Sequence, residues 1–398
     1  MTLHVVGAGL AGLSCALAAA DAGLEVVIHE AAKQAGGRCR SWDDTVIGQR
    51  IDNGTHVVVG GNPAAFAYLR RIGSVDTLRP LSSVPPVFDL ANGESWRPGT
   101  PTLMGAVAGS LLRLGFGATG TVAERMGRSR HYRRVWEPLT VATLNTQAAL
   151  ASASLFRAVL TGTVWKGMSA ARMHVVRDDL SATFIDPALA ALAARNVVIR
   201  YGHPLRAPVI RDGRVAELQF DDGAVTLTPG DAVVIAVPWW TASRWLGLSE
   251  LPDSPIVNAH FHMKTPPATL ADHDSVGIVG GAAQWVFRRG DILAVTVSAA
   301  SDLDDFSNHE LTDRLWADVA RALKLTSPPD GVRIVREKRA TLLHSPETES
   351  RRPAARQGGN LLLAGDWTAT GLPCTIESAI RSGNTAAAAA VTMLRGRR

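Results

Sequence analysis

The period of apolar positions changes along this chain, and the changes mark its elements. Leu3 to Val6 is a short apolar run interrupted only by His4, as in a buried strand. Leu13 to Ala22 is alanine-rich and long enough for a helix. Glu25-Val26-Val27-Ile28-His29-Glu30 is again short and β-branched, and it ends on a carboxylate. Together they predict a βαβ unit over Thr2–Glu30. Helical signals resume from Pro63 to Ile72. Between residues 81 and 190 strand character gives way to helical spacing, through Leu103–Leu114, Val122–Met126 and Leu150–Leu160, which predicts a helical insertion. Strands return at Asn196–Tyr201, Val209–Ile210, Arg214–Phe220 and Ala232–Val237, with Asp212-Gly213 and Asp222-Gly223 as hairpin turns. Further strands are predicted at Ile256–Met263, Val276–Val279, Ala283–Phe287 and Ile292–Val297, then a helix from His309 to Leu325 and a strand over Val332–Leu342. A buried strand from Asn360 to Asp366, a loop from Thr368 and a small-residue helix over Ile376–Met393 close the chain.

The joints of the first unit carry the first chemistry. Gly7, Gly9 and Gly12 fall at G-x-G-x-x-G spacing between strand and helix. Gly7 permits the tight turn, Gly9 lets the backbone approach a pyrophosphate, and Gly12 lets the helix pack on the strand. The helix start, with Ala11 in its first turn, offers free N–H groups and a positive dipole end to phosphates. Glu30, 18 residues after Gly12, is placed to accept hydrogen bonds from ribose hydroxyls. Gly36-Gly37-Arg38 can wrap the pyrophosphate again, with a guanidinium for charge-assisted bonds. This pattern points to a bound dinucleotide.

Composition narrows the rest. The 398 residues, 46% hydrophobic and 19% charged, suit two intertwined globular units. The net charge of +5 comes without a zinc-finger or RNA-binding signature, so nucleic acid is not the expected partner. Cys15, Cys39 and Cys374 have no metal-ligand spacing, and no metal site is expected. Three cysteines fit a reducing cytoplasm, and Thr2 enters the fold at once, with no signal peptide expected. The best apolar candidate for a span, Leu103–Phe116, is too short to cross a bilayer and is interrupted by Arg113. Arg125, Arg128, Arg130, Arg133 and Arg134 form a basic cluster: a solvated helix face, or a contact for anionic lipid headgroups.

The glycine fingerprint at residue 7, Gly36-Gly37-Arg38 and Ala364-Gly365-Asp366 together resemble the FAD-dependent amine-oxidase and phytoene-desaturase superfamily, over the whole chain. Asp52-Asn53-Gly54-x-His56, Trp136-Glu137-Pro138-Leu139, Leu144-Asn145, Gln284-Trp285-Val286-Phe287, Glu337-Lys338-Arg339-Ala340 and the run from Ala364 to Glu377 resemble one branch, the squalene-associated hydroxysqualene dehydroxylases. Thr55 and Cys374 depart from it, standing where the branch usually has Gln and Ala.

The resemblance implies an α/β fold: a Rossmann-like FAD-binding domain (residues 1–80, 191–250 and 351–398) with an interleaved α+β substrate domain (81–190 and 251–350). It implies that Asp366 bonds the flavin ribitol or phosphate, that Leu205 contacts the adenine side, and that Thr375 and Ile376 lie at the flavin ring. Asn53, Gly54 and Thr55 are expected beside that ring. FAD is expected to be noncovalent, because the attaching cysteine of relatives precedes the late Gly-Asp strand and Cys374 follows it.

The implied reaction is hydride transfer from reduced flavin to an allylic carbon of hydroxysqualene, with acid-assisted loss of water, giving squalene for hopanoid synthesis. His56 is the first candidate for proton donor and Asp52 the second. Glu377 could also reach the ring. Trp239, Trp240, Trp285 and Trp367 are candidates to steady positive charge, or are core residues. A single dinucleotide fingerprint implies a separate reductant or electron carrier. A water-insoluble triterpene substrate implies peripheral contact with the inner face of the cytoplasmic membrane. A carotenoid or prenyl desaturase, an amine oxidase and a prenyl-binding protein without flavin are the rival readings.

Overall fold

The computed structural model describes residues 1–97, 109–115, 119–271 and 274–395. The predicted βαβ unit is strand β1 (Thr2–Val6), helix α1 (Leu10–Asp21) and strand β2 (Glu25–His29). The helix begins earlier than its apolar run suggests, because Leu10 already lies beyond the turn at Gly7. β1 and β2 pair in parallel, Leu3 opposite Val26. They are the centre of a six-stranded sheet with the order Val198–Arg200, β2, β1, Ala232–Ile235, Leu361–Leu363, Arg356–Gly358. The neighbours are parallel except the last pair. Its central parallel strands are buried on both faces, which explains why they read as continuous apolar runs rather than alternating ones.

One face of this sheet is covered by α1 and the C-terminal helix Ile376–Arg395. The two helices cross at small residues. A side chain at Gly383 would meet Ser14 Oγ at 2.0 Å and Ala11 O at 2.2 Å. In that space Ser14 Oγ donates to Ile380 O at 3.2 Å, a cross-helix bond joining residues 366 positions apart.

A seven-stranded sheet forms the second layer, in the order Gly331–Leu342, Asp253–His262, Ile292–Ser298, Trp285–Arg289, Ser275–Val279, Val87–Asp89, Ser95–Trp96. Helix Asn308–Leu323 packs on it through Leu311, Leu315, Val319 and Leu323, four residues apart, and is closed at its start by a Ser307–Glu310 capping box.

The 81–190 segment is not wholly helical. Val87–Asp89 and Ser95–Trp96 extend the second sheet, and Met173–Val176 pairs with both Val58–Val59 and Leu78–Pro80. Helices at Val122–Met126, Glu137–Leu144 and Ala153–Gly162 enclose a separate core around Trp136 and Phe156. Half of the apolar stretch 103–116 lies outside the described residues. Among the described residues no helix is long and apolar enough to cross a membrane.

Candidate functional site

The turn after β1 is shaped by two glycines. Gly7 has φ +108°, and a side chain there would strike Ala236 O at 2.6 Å. One at Gly12 would strike Gly7 O at 1.9 Å. Gly9 differs: nothing lies within 4 Å of the place a side chain would take. Gly9 also caps α1 without any side-chain hydrogen bond, and no acidic residue stands in the helix's first turn. The result is an open, uncapped helix start facing free space, which fits a pyrophosphate. Gly36 lies beside Gly9 in a parallel bridge, and Gly37 approaches Gly9 closely as well. The second glycine turn therefore borders the same space.

At the rim of the cradle, Glu30 accepts from the Ala8 amide at 2.6 Å and the Ala32 amide at 2.8 Å. These bonds fix the carboxylate at the end of β2. Its backbone carbonyl accepts from the His203 amide at 2.9 Å, which brings the His203-Pro204-Leu205 turn to the same end of the sheet. Leu205 is buried there.

Arg38 reaches across the fold to Asp366, 2.6 Å away, and also donates to Ala340 O. Burial opposes the guanidinium's charge, but Asp366 more than offsets this and holds Arg38 protonated. Residues 38 and 366, far apart in sequence, thus meet at one point. Thr375 accepts from the Ser378 amide at 3.2 Å and so caps the last helix, whose start carries Ile376. Glu377 does not turn toward this space. Its two oxygens accept from the Ala64 and Ala65 amides, capping the helix Pro63–Ile72, and Arg381 pairs with it.

The loop 52–56 divides into two parts. Asn53 is held through its carbonyl by Asn258 Nδ2 at 3.3 Å, and Gly54 packs on the same Asn258 side chain. Asp52 does not fit the role of proton donor. Its carboxylate is buried and pairs with Arg289. It also accepts from Ser41 Oγ at 2.6 Å and the Leu180 amide at 3.0 Å. A carboxylate with those partners is an anchored anion.

His56 remains. With Thr55 it lines a cavity walled by Val175, Val176 and Phe287 and floored by Asp52 and Arg289. Leu81, Val57, Met173 and Trp285 pack behind this wall. Burial lowers the His56 pKa, opposed by Asp52 and reinforced by Arg38. The imidazole is therefore neutral at neutral pH, contrary to the expectation of a readily protonated histidine. A neutral imidazole must take up a proton before it can act as an acid.

Two of the four candidate tryptophans are tied into structure. Trp239 Nε1 donates to Asp253 at 2.7 Å and Trp367 Nε1 to Val237 O at 3.0 Å. Trp240 lies under the Arg339 guanidinium, 5.0 Å away. Trp285, stacked against Phe287 at the cavity wall, is the one beside His56's chamber. Among the described residues no cluster suited to a metal ion occurs.

A match to the flavin containing amine oxidoreductase family covers residues 10–169 and 178–391. The chain belongs to that family. Hydroxysqualene dehydroxylases of Rhodopseudomonas palustris and Sinorhizobium fredii are 39% and 36% identical to it, each alignment covering 97% of this chain and 97% of the relative. This amine oxidoreductase thus falls in the hydroxysqualene dehydroxylase branch. The solved cyclohexylamine oxidase of Brevibacterium oxydans superposes with a TM-score of 0.74 at 13% identity, covering 99% of both chains, which speaks to the fold alone. The amine-oxidase-like α/β architecture and FAD as cofactor follow from the family.

The residues that sequence reasoning missed are charged groups behind the site. Arg289, which neutralises Asp52, adjoins the quoted motif Gln284–Phe287 but lies two residues beyond it. His344, Glu349 and Arg352 form a buried cluster under the 366–375 loop and carry no periodic or motif signal.

Proposed function

We propose that this flavoprotein carries out the reductive dehydroxylation of hydroxysqualene to squalene in triterpenoid synthesis. Full-length likeness to hydroxysqualene dehydroxylases carries the reading. The apolar wall of Val175, Val176 and Phe287 beside His56 supports it.

When bound in reduced form, FAD supplies a hydride to the allylic carbon. The protein's part begins with holding the cofactor: Gly7, Gly9, Ala11, Gly12, Gly37 and Arg38 at the pyrophosphate, Glu30 and Leu205 at the adenosine end. Asp366, Asn53, Gly54, Thr55, Thr375 and Ile376 serve the ring end. Residues 1–80, 191–250 and 351–398 form the cofactor unit, and 81–190 with 251–350 the substrate unit. The apolar wall receives the hydrocarbon and keeps bulk water from the reacting carbon. His56, after taking up a proton from solvent, donates it to the departing hydroxyl, which leaves as water, and returns to the neutral imidazole. Asp52, held by Arg289, anchors the loop that presents His56 and transfers no proton. FAD is noncovalent: burial raises the Cys374 pKa and keeps it a thiol, beyond the late strand. A separate protein or carrier reduces the flavin, since the sequence carries a single dinucleotide fingerprint, at Gly7–Gly12.

The test is anaerobic. The flavoprotein is reduced, freed of excess reductant and mixed with hydroxysqualene. Flavin reoxidation with stoichiometric squalene is expected. His56→Gln should keep FAD and slow reoxidation by about 100-fold or more, the usual scale for a proton donor. No reoxidation by the parent protein would overturn the reading, and a variant within threefold of it would remove His56 from the role.

The substrate also argues for lipid contact at the inner face of the cytoplasmic membrane. Trp165 and Met168 are 53% and 44% exposed on consecutive short helical turns, with Lys166 between them. Leu112, 84% exposed, adjoins the same helical core, where Leu111 and Val164 pack inward. The strand after these turns, Met173–Val176, supplies the cavity wall beside His56. Apolar tips with a nearby cation suit an anionic interface. The double variant W165A/M168A should lose most binding to anionic vesicles in a flotation assay at low salt. Undiminished flotation would exclude this face.

A further inference from the structure

The loop from Asp366 to Thr375 runs between the Arg38 contact and the cap of the last helix. Two buried side chains hold it from below. Arg352 donates to Asp366 O at 2.6 Å, Leu372 O at 2.7 Å and Thr370 Oγ1 at 3.1 Å. His344, fully buried, accepts the Cys374 amide at Nε2, 2.9 Å away. Glu349 joins the two, with one oxygen 2.6 Å from His344 Nδ1 and the other 2.8 Å from an Arg352 nitrogen.

The hydrogen bonds fix the imidazole's state. A backbone N–H can only donate, so His344 Nε2 must offer its lone pair. The ring proton therefore sits on Nδ1 and goes to Glu349. Burial would raise the Glu349 pKa, but the hydrogen bond from His344 and the Arg352 guanidinium hold it below the usual range, so the acceptor is a carboxylate. Glu349 selects one tautomer of His344, and that tautomer alone can receive Cys374. The imidazole's backbone is pinned from the opposite side: its amide donates to Thr146 Oγ1 at 2.9 Å, and its carbonyl accepts from the Ser152 amide at 2.7 Å. The relay thereby ties the helical segment to the cofactor loop.

We infer that His344, its tautomer set by Glu349, is a positioning residue that holds the Cys374 amide and so presents the 366–375 loop to FAD. The inference rests on FAD binding and not on the proposed reaction, so the two can fail separately.

Two substitutions divide the imidazole's bonds. In His344→Gln the side-chain oxygen reaches about where Nε2 was and can accept Cys374, while the bond to Glu349 is lost. In His344→Asn the amide can still donate to Glu349, and Cys374 loses its acceptor. Glu349→Gln tests the tautomer: with its oxygen toward Arg352, its NH2 faces Nδ1 and drives the ring proton to Nε2, against the Cys374 N–H. FAD dissociation constants, from the quenching of flavin fluorescence, are the readout. H344Q should stay within about threefold of the parent protein, while H344N and E349Q weaken FAD at least tenfold. Equal weakening in all three, or none in any, would overturn the role. If H344N does not fold, E349Q decides alone: unchanged affinity there refutes the tautomer relay.

Discussion

Gly9→Ala and Gly12→Ala should both yield a colourless protein, but for different reasons. At Gly12 the new carbon would lie 1.9 Å from Gly7 O, far inside contact distance, with Val5 Cγ1 at 3.4 Å behind it. Relief requires α1 to move off β1 or the turn to open, and Gly7, at φ +108°, has no ordinary conformation to relax into. Gly12→Ala is therefore expected to lose FAD and to melt earlier. At Gly9 the backbone is extended, φ −76° and ψ 177°, and the added methyl meets no protein atom. The fold should be untouched. The methyl instead occupies the space in front of the helix start, where a pyrophosphate would need close backbone approach. FAD affinity is expected to fall at least 100-fold, about 2.7 kcal/mol, with an unchanged apo melting temperature. The flavin-to-protein absorbance ratio checks both variants. Stoichiometric FAD in Gly9→Ala would place the phosphates elsewhere.

Arg289→Met should destabilise the protein severely. The substitution keeps most of the side chain's length and removes only its charge and donors. Asp52, 2% exposed, is then left as a buried anion whose remaining partners are the Ser41 hydroxyl and the Leu180 amide. Removing one partner of a buried pair typically costs about 3–5 kcal/mol, because the other charge stays desolvated. The Asp178 carbonyl also loses the Arg289 donor. A drop of that size in chemical unfolding of the apo protein is expected. The double variant Arg289→Met/Asp52→Asn should recover part of it, since no uncompensated charge remains. A single variant as stable as the parent would mean that water reaches Asp52 and that the anchor under His56 is loose.

Much of this fold was written locally. The βαβ unit was legible because strand, turn, helix and strand each carry their own signal within 30 residues. Helix Pro63–Ile72 was read to the residue, since proline marks its first turn and Gly73, at φ +75°, its end. The strands Val87–Asp89 and Ser95–Trp96 were not visible, because two or three residues hold too few positions to show alternation. Val87–Asp89 pairs with the strand beginning at Ser275 and Ser95–Trp96 pairs in turn with Val87–Asp89, so tertiary contact sets both. The cofactor cradle was likewise legible, since glycine spacing is a backbone requirement. The groups that support it were not. His344, Glu349, Arg352 and Arg289 act through partners up to 237 positions away, and such pairing leaves no mark on local sequence. The charge of His56 is hidden from sequence for a related reason: burial favours its neutral form.

The order in which the nucleotide sheet is assembled has a consequence for synthesis. α1 buries most of its surface, and much of that is against the C-terminal helix, through the Ser14–Gly383 crossing. β1 needs Ala232–Ile235 beside it, which in turn needs Leu361–Leu363. At roughly 5–20 residues per second, the ribosome takes about 15–70 s to travel from the end of β2 to the start of the last strand. Throughout that interval an apolar, alanine-rich helix lacks its main partner, the C-terminal helix, although β1, β2 and later the helix Asp186–Ala193 can lie against it. The Ser14–Gly383 crossing forms only once the helix Ile376–Arg395 has been made, so the nascent polypeptide is expected to hold FAD only after that point, and its first thirty residues are the part most in need of a chaperone.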